Sequence, residues 1–263
     1  MKTLYFSATG NSLYAAKRIG GELLSIPHLL AEGRFSIQDD AVGIVCPCYG
    51  WGLPRIVEEY LSKAQLKADY HFGVMTYGNI AGGGLRRMED AGHRAGIRFS
   101  YTAEILMVDN YLPMFDMDAE LAKLASKNIE GQLSAACADI AARKNRVLDK
   151  GPVKNILFDI MGKGIRGTMA RLWLDNADKK FYTDDKCNGC GVCAKVCPRR
   201  NVELKPKPEF HHRCEGCYAC INNCPQKALH LTGEKSGARF RNSSVELAEI
   251  IQSNDMTKAM QGN

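Results

Sequence analysis

Eight of the eleven cysteines fall in two copies of one spacing: Cys187, Cys190, Cys193, Cys197-Pro198, and Cys214, Cys217, Cys220, Cys224-Pro225. Each copy reads C-x2-C-x2-C-x3-C-P, and the second begins 27 residues after the first. Three thiolates from one tight loop can grip one face of an iron–sulfur cube, while the proline turns the fourth cysteine toward another cube. The spacing therefore predicts one [4Fe–4S] site from Cys187, Cys190, Cys193 and Cys224, and a second from Cys214, Cys217, Cys220 and Cys197. Zinc, the competing thiolate metal, is usually held by paired C-x2-C hooks rather than triplets. Thiols spaced for ligation rather than disulfides imply a reducing compartment, so a cytoplasmic setting is expected.

The N-terminal half is organised differently. Strand-like apolar runs at 2–7, 41–46, 71–77 and 101–108, with a weaker one near 25–30, alternate with helical patterns. Five strands with intervening helices predict an α/β domain over residues 1–149, built on a five-stranded parallel sheet with helices on both faces. A long helix is expected from Asp118 through Lys144, loosened at Gly131. Residues 150–180, broken by Gly151, Gly162, Gly164 and Gly167, read as a connector. The cysteine repeat occupies a small α+β domain at 181–233, and 234–263 reads as a polar tail with one helix at Ser244–Ile251.

Three loops of the α/β half point to a ligand. Ser7, Thr9, Gly10, Asn11 and Ser12 lie between the first strand and a helix, where hydroxyls and free N–H groups make an anion site. No Walker lysine is present, so neutral donors would hold a phosphate monoester. The loops after the third and fourth strands carry Tyr49, Gly50, Trp51, Gly52 and then Thr76, Tyr77, Gly78, Asn79, Gly82. Loops at the carboxyl ends of adjacent parallel strands share one crevice. Aromatic faces among glycines suit a planar ring, and with the anion loop they suggest a flavin.

The segment YFSATGNS resembles the phosphate loop of flavodoxins, and CPCYGWGLP and TYGNIAGGG fall where that family's two isoalloxazine loops lie. The repeat at 181–233 resembles a bacterial two-cluster ferredoxin. In chain order and length the whole is similar to fused flavodoxin–ferredoxin proteins of anaerobic bacteria and archaea. The resemblance implies FMN, with Ser7, Thr9, Gly10, Asn11 and Ser12 on its phosphate and the two aromatic loops on its ring. It also implies two [4Fe–4S] clusters and electron transfer. Two departures stand out: the first half is not acidic as flavodoxins are, and Cys46 and Cys48 sit in the first ring loop. The segment Asp109–Pro113 is expected either to cover the flavin or to receive the ferredoxin domain.

Charge narrows the partners. Residues 1–150 hold 17 basic and 17 acidic side chains, and residues 151–263 hold 18 and 12. Two oxidised cubes with their thiolates would add about −4, which removes most of the surplus and with it the case for nucleic acid. Lys179, Lys180, Arg199 and Arg200 read as a solvated face offsetting cluster charge. No apolar run approaches the roughly 20 residues of a membrane span. Cys46 and Cys48 are expected as buried small hydrophobes, Cys137 as core, His211 and His212 as surface residues. No Ser–His–Asp constellation accompanies His28, His71, His93 or His230.

These features favour an electron-transfer flavoprotein exchanging electrons with other redox proteins. The alternatives are an FMN-dependent reductase of a quinone, nitro compound or activated alkene, working at Trp51, Tyr77 and Tyr111, and an iron–sulfur redox sensor. The pattern leaves the oligomeric state open.

Overall fold

In the computed structural model, which describes residues 1–148 and 177–256, the central sheet is wholly parallel. Its strands are β1 (Lys2–Tyr5), β2 (Glu22–Ser25), β4 (Ala41–Pro47), β6 (Tyr70–Tyr77) and β7 (Tyr101–Leu106), in the order β2-β1-β4-β6-β7. A separate two-stranded pair joins β3 (Ser36–Gln38) to β5 (Gln65–Lys67). Central β4 is an unbroken apolar run because both of its faces are covered. Helices α1 (Asn11–Ile19) and α6 (Ile129–Ala141) pack on one face. On the other lie α2 (Ile26–Ala31), α3 (Arg55–Leu61) and α4 (Gly84–Arg94). Counted within the sheet, the order 2-1-3-4-5 is that of flavodoxin-like open sheets, and it reverses between β1 and β4. The loops leaving those two strands therefore flank the crevice where such sheets bind ligands.

Three local expectations are corrected. The weak strand near 25–30 is β2 one turn earlier, and Ser25 then caps α2, its hydroxyl accepting from the His28 N–H. The long helix from Asp118 to Lys144 is two helices, α5 (Met117–Ala122) and α6, joined by a 3-10 turn at Leu124–Lys127. Asn128 in the left-handed region (φ 44°) makes the break, a conformation Asn tolerates better than most residues. Cys137 is not core; it is half-buried, its thiol donating to the Arg18 carbonyl at 3.3 Å.

The C-terminal part pairs β8 (Phe181–Thr183) with β11 (Leu229–Leu231) and β9 (Val202–Leu204) with β10 (Pro208–Phe210), both antiparallel. Two one-turn helices, α7 (Val192–Lys195) and α8 (Ala219–Asn222), follow the cysteine triplets. The duplication is visible in the backbone. Gly189 and Gly216, Gly191 and Tyr218, and Arg200 and Lys227 are pairs at the repeat interval, all with positive φ. Where the first copy uses Gly191, the second forces Tyr218 into the left-handed region (φ 54°).

Beyond β11 the chain is no free tail. It crosses to the α/β part and ends in α9 (Leu247–Asn254), later than the expected 244–251, with a reciprocal Glu246/Glu249 capping box. Helix α9 packs against α2 and α7. The Tyr5 and Ser253 hydroxyls share a hydrogen bond of 2.8 Å, and Lys17 pairs with Glu249 at 2.7 Å. The connector glycines at 151, 162, 164 and 167 lie outside the described residues. Among the described residues no helix is long and apolar enough to cross a membrane.

Candidate functional site

The anion loop is the first of three structures at the carboxyl edge of the sheet. Helix α1 opens at Gly10, whose φ of 97° excludes ordinary L-residues, and no side chain caps it. The first-turn N–H groups of a helix have no partner within it. Ser7 Oγ accepts from the Gly10 N–H at 3.1 Å, Thr9 Oγ1 accepts from Asn110 Nδ2, and the Ser12 and Thr76 hydroxyls share a bond of 2.8 Å. A hydroxyl that accepts still has its own O–H to give, so Ser7 and Thr9 retain a donor. Asn11 Nδ2 donates to the Val108 carbonyl at 3.0 Å, tying the loop to the end of β7.

Side chains and backbone from the C-terminal part fix the loop's outer side. The carbonyls of Ser7, Ala8 and Thr9 accept, respectively, from Asn254 Nδ2 (2.9 Å), Asn223 Nδ2 (3.0 Å) and the Asn242 N–H (2.8 Å). Across a trans peptide the next N–H points opposite to the carbonyl. Holding three carbonyls toward the C-terminal part thus turns the N–H groups of Ala8, Thr9 and Gly10 the other way. A Cβ on Gly10 would meet Asn242 Cβ at 3.0 Å and Val245 Cβ at 3.1 Å, so the covering segment sits tight on the loop.

The second structure is a two-residue hairpin. Tyr49 and Gly52 exchange both backbone hydrogen bonds, at 2.9 and 3.0 Å. Gly50 (φ 54°) and Trp51 (φ 59°) between them both take positive φ, as a type I′ turn demands. A bulky residue at positive φ is a genuine backbone outlier. Trp51 lies on the third loop: a Cβ on Gly82 would come within 2.7 Å of Trp51 Cγ. Cys48 completes the join, its N–H donating to the Thr76 carbonyl (2.8 Å) and its thiol to the Ala81 carbonyl (3.3 Å). Cys46 is fully buried and burial pushes its thiol well above the ordinary range, so it is an inert core residue.

In the third loop Lys127, 6% exposed, donates to the Gly78 carbonyl at 2.9 Å, and Asn79 Nδ2 donates to Asp109 at 3.2 Å. Burial raises the Asp109 carboxyl above its usual range. The charged neighbour of Tyr77 is Glu104 on β7, and burial raises its phenol. Of the residues expected to hold a cofactor, Ser7, Thr9, Gly10, Asn11, Ser12 and Thr76 form one group. Tyr49, Gly50, Trp51, Gly52 and Gly82 form a second, and Gly78 and Asn79 join Asp109 and Lys127.

The eight motif cysteines gather in two neighbouring regions. Cys193 has Cys224, Cys190 and Cys187 as its thiol neighbours, and these four line a small cavity. Cys217 and Cys220 have Cys214 and Cys197 as theirs, and Cys220 also has Cys193 of the first set nearby. Burial drives the Cys214 thiol up to about 12 and the Cys193 thiol to about 11. Thiols so placed become thiolates only with a cation among them, which suits a bound cluster. The sulfurs of Cys197, Cys214 and Cys224 each accept a backbone N–H at 3.3 Å, from Asn201, Gly216 and Ala228. The two sets differ in exposure: Cys190 is open to solvent, whereas Cys214, Cys217 and Cys220 are buried.

The buried set faces the aromatic hairpin. Tyr49 is half-buried, its phenol raised by burial and by the proximity of Cys217, Glu215, Cys46 and Cys214. Tyr218, between two ligand candidates, places its ring 5.8 Å from that of Tyr111. The Leu112 carbonyl accepts from the Lys235 N–H, so Asp109–Pro113 is the segment that receives the C-terminal part. Arg199 is not solvated as expected: it bonds Glu215 (Nε, 2.6 Å) and, across the junction, Glu59 on α3 (Nη1, 2.6 Å). Sequence reasoning missed Asn223, Asn242, Asn254 and Lys127. Lone amides and a lone lysine carry no periodic signal.

Residues 179–225 match the family model described as a 4Fe-4S dicluster domain. Over 31 residues the chain is 48% identical to pyruvate synthase subunit PorD of Thermotoga maritima, a stretch covering 12% of this chain and 31% of that protein. The chain thus spans about a third of the length of that curated relative. Among solved structures, a "putative flavoprotein" from Bacteroides uniformis aligns with TM-score 0.32 at 13% identity, over 46% of this chain and 94% of that one. The Trp repressor binding protein of Bacillus subtilis aligns with TM-score 0.33 at 12% identity, over 58% and 100%. The fold assignment rests on the strand order above. The C-terminal part is an iron–sulfur domain of the 4Fe-4S dicluster type, and electron transfer is its general role.

Proposed function

We propose that this chain is an electron-transfer flavoprotein, holding FMN in an α/β domain at 1–149 and two [4Fe–4S] clusters in the domain at 181–233. The observation that carries the reading is the seating of the buried cysteine set on the aromatic hairpin, with Tyr49 beside Cys217 and Cys214 and Tyr218 against Tyr111. When bound, FMN supplies a centre that takes two electrons one at a time, and the cubes supply single-electron centres.

The residues fit these groups. The uncapped start of α1 and the hydroxyls of Ser7, Thr9 and Ser12 offer neutral donors to a phosphate, and the strained Trp51 hairpin with Gly82 offers an aromatic edge to a ring. The cysteine set near solvent gives an outer terminal for a redox partner, and the buried set an inner one. The C-terminal part lies over the anion loop and against Tyr111, which favours a carrier over a reductase with open space above its flavin.

Anaerobic protein should contain about eight irons and one FMN per chain, and a stepwise redox titration followed by visible absorption and EPR should resolve three centres. Full iron without a flavin spectrum refutes the FMN assignment; about four irons refutes the pair of cubes. Rapid turnover of small quinones or nitro compounds would transfer the reading to the reductase.

A further inference from the structure

A buried lysine holds the third loop. Lys127 is 6% exposed; its ammonium donates to the Gly78 carbonyl at 2.9 Å and lies 3.7 Å from Glu120 Oε2. Glu120 is itself 1% exposed. Burial pushes its carboxyl up, but hydrogen bonds from Lys123 and Asn79 and the charges of the two lysines outweigh this and hold it below its ordinary value. A pair this buried adds little net stability, because desolvation cancels most of the attraction. The sequence nonetheless builds a frame around the lysine. Asn128 turns the chain at a φ of 44°. Gln132 Nε2 donates to the Lys127 carbonyl at 2.7 Å, and its Oε1 accepts from the Leu106 N–H at the end of β7 at 2.9 Å.

What the frame fixes is one peptide. Its carbonyl end is held by Lys127, and the Asn79 side chain donates to Asp109 at 3.2 Å and to Glu120. Asp109 lies tight against Gly78, where an added Cβ would meet Asp109 Cβ at 2.2 Å. The carbonyl and the following N–H of a trans peptide point opposite ways, so the Asn79 N–H faces away from Lys127. Among the described residues no backbone carbonyl accepts from it. We propose that Lys127 is a positioning residue for a flavin ring, holding the Gly78–Asn79 peptide so that the Asn79 N–H donates to a ring carbonyl. The inference rests on the FMN reading above and adds to it a residue that acts through the backbone. A donor ordered before binding contributes more affinity than one that must be ordered by the ligand.

The test uses the full, cluster-loaded chain from riboflavin-starved cells, titrated with FMN and followed by quenching of flavin fluorescence. Lys127→Met should weaken FMN binding about fivefold, the worth of one hydrogen bond, with iron content unchanged. It should also raise a carbonyl stretch of the bound ring in the infrared, because a carbonyl that loses a donor stiffens. Lys127→Met leaves Glu120 a buried anion with Lys123 alone, so the double variant Lys127→Met/Glu120→Gln removes that charge while keeping an acceptor for Asn79. Its urea midpoint should recover, and its FMN affinity should not. Affinity that recovers together with stability makes the lysine a structural residue only and overturns the proposal. FMN affinity unchanged in Lys127→Met overturns it too, and weakened binding with unmoved carbonyl stretches overturns the donor assignment. Wild-type protein that binds no FMN overturns the FMN reading itself, and the proposal with it.

Discussion

Arg199 offers a controlled comparison, because it makes two bonds of equal length to two carboxylates of unequal burial. Glu215 is 2% exposed and Glu59 is 41% exposed, and both lie 2.6 Å from the guanidinium. At an effective dielectric near 20, opposite charges about 4 Å apart attract by about 4 kcal/mol. An amide in place of the Glu215 carboxylate would recover about 1 kcal/mol as a neutral hydrogen bond. Glu215→Gln should therefore destabilise the fold by about 3 kcal/mol, at the low end for breaking a buried pair. Glu59→Gln should cost at most about 1 kcal/mol, as exposed pairs do. Anaerobic urea unfolding, followed together by far-UV circular dichroism and cluster absorbance, measures both. With a slope of about 2–3 kcal/mol/M the midpoint should fall by about 1 M in Glu215→Gln and by less than about 0.5 M in Glu59→Gln. Equal shifts would refute the claim that burial, rather than bond length, sets the worth of these pairs. Since Arg199 and Glu59 lie on opposite sides of the junction, cluster absorbance lost before ellipticity in Glu215→Gln would identify the junction as the first place to open.

Further outcomes follow from the same geometry. Donation by Arg199 holds the Glu59 carboxyl below its ordinary 4.5; a depressed native value stabilises above 4.5 and that contribution fades as pH falls through the native value, so Glu59→Gln should lack this part of the acid limb of a stability–pH curve. Cys224→Ala should lower iron from about eight to about four per chain by emptying the site of Cys187, Cys190 and Cys193, and retention of eight would refute the crossed assignment. Gly82→Ala places a methyl 2.7 Å from Trp51 Cγ at a φ of 55°, so bound FMN per chain should fall while iron is retained. Tyr218→Gly relieves about 1 kcal/mol of backbone strain but gives up a buried aromatic worth about 3–5 kcal/mol, so a lower urea midpoint is expected and an unchanged one would show that the ring does not pack as described.

The parts legible in the sequence were those with a period or a spacing. Strand runs gave the five-stranded sheet, and the cysteine intervals marked the 4Fe-4S dicluster region at 179–225. The anion loop was readable because hydroxyls and Gly10 sit together between a strand and a helix. What stayed hidden depends on single residues whose partners are remote. Asn223 and Asn254 look like ordinary surface amides, yet they are buried on loop carbonyls more than 200 positions away. Arg199 looked solvated because Glu59 and Glu215 are distant in sequence. The break at Asn128 was misplaced to Gly131, since helical periodicity continues across it and only the local backbone turn decides.

The asparagine clasp on Ser7, Ala8 and Thr9 also bears on when the molecule can be finished. Its three donors, Asn223, Asn242 and Asn254, leave the ribosome after the whole α/β part and after both cysteine triplets. At about 5–20 residues per second they follow the loop they secure by some ten to fifty seconds. Asn223 lies between Cys220 and Cys224, so the clasp closes only once that stretch has wound into its own site. Iron withheld during synthesis is therefore expected to leave the clasp open, which limited proteolysis of the loop at residues 7–10 would report. A nascent α/β half is expected to wait, its sheet formed and its anion loop unlatched, for the metal-binding part to arrive.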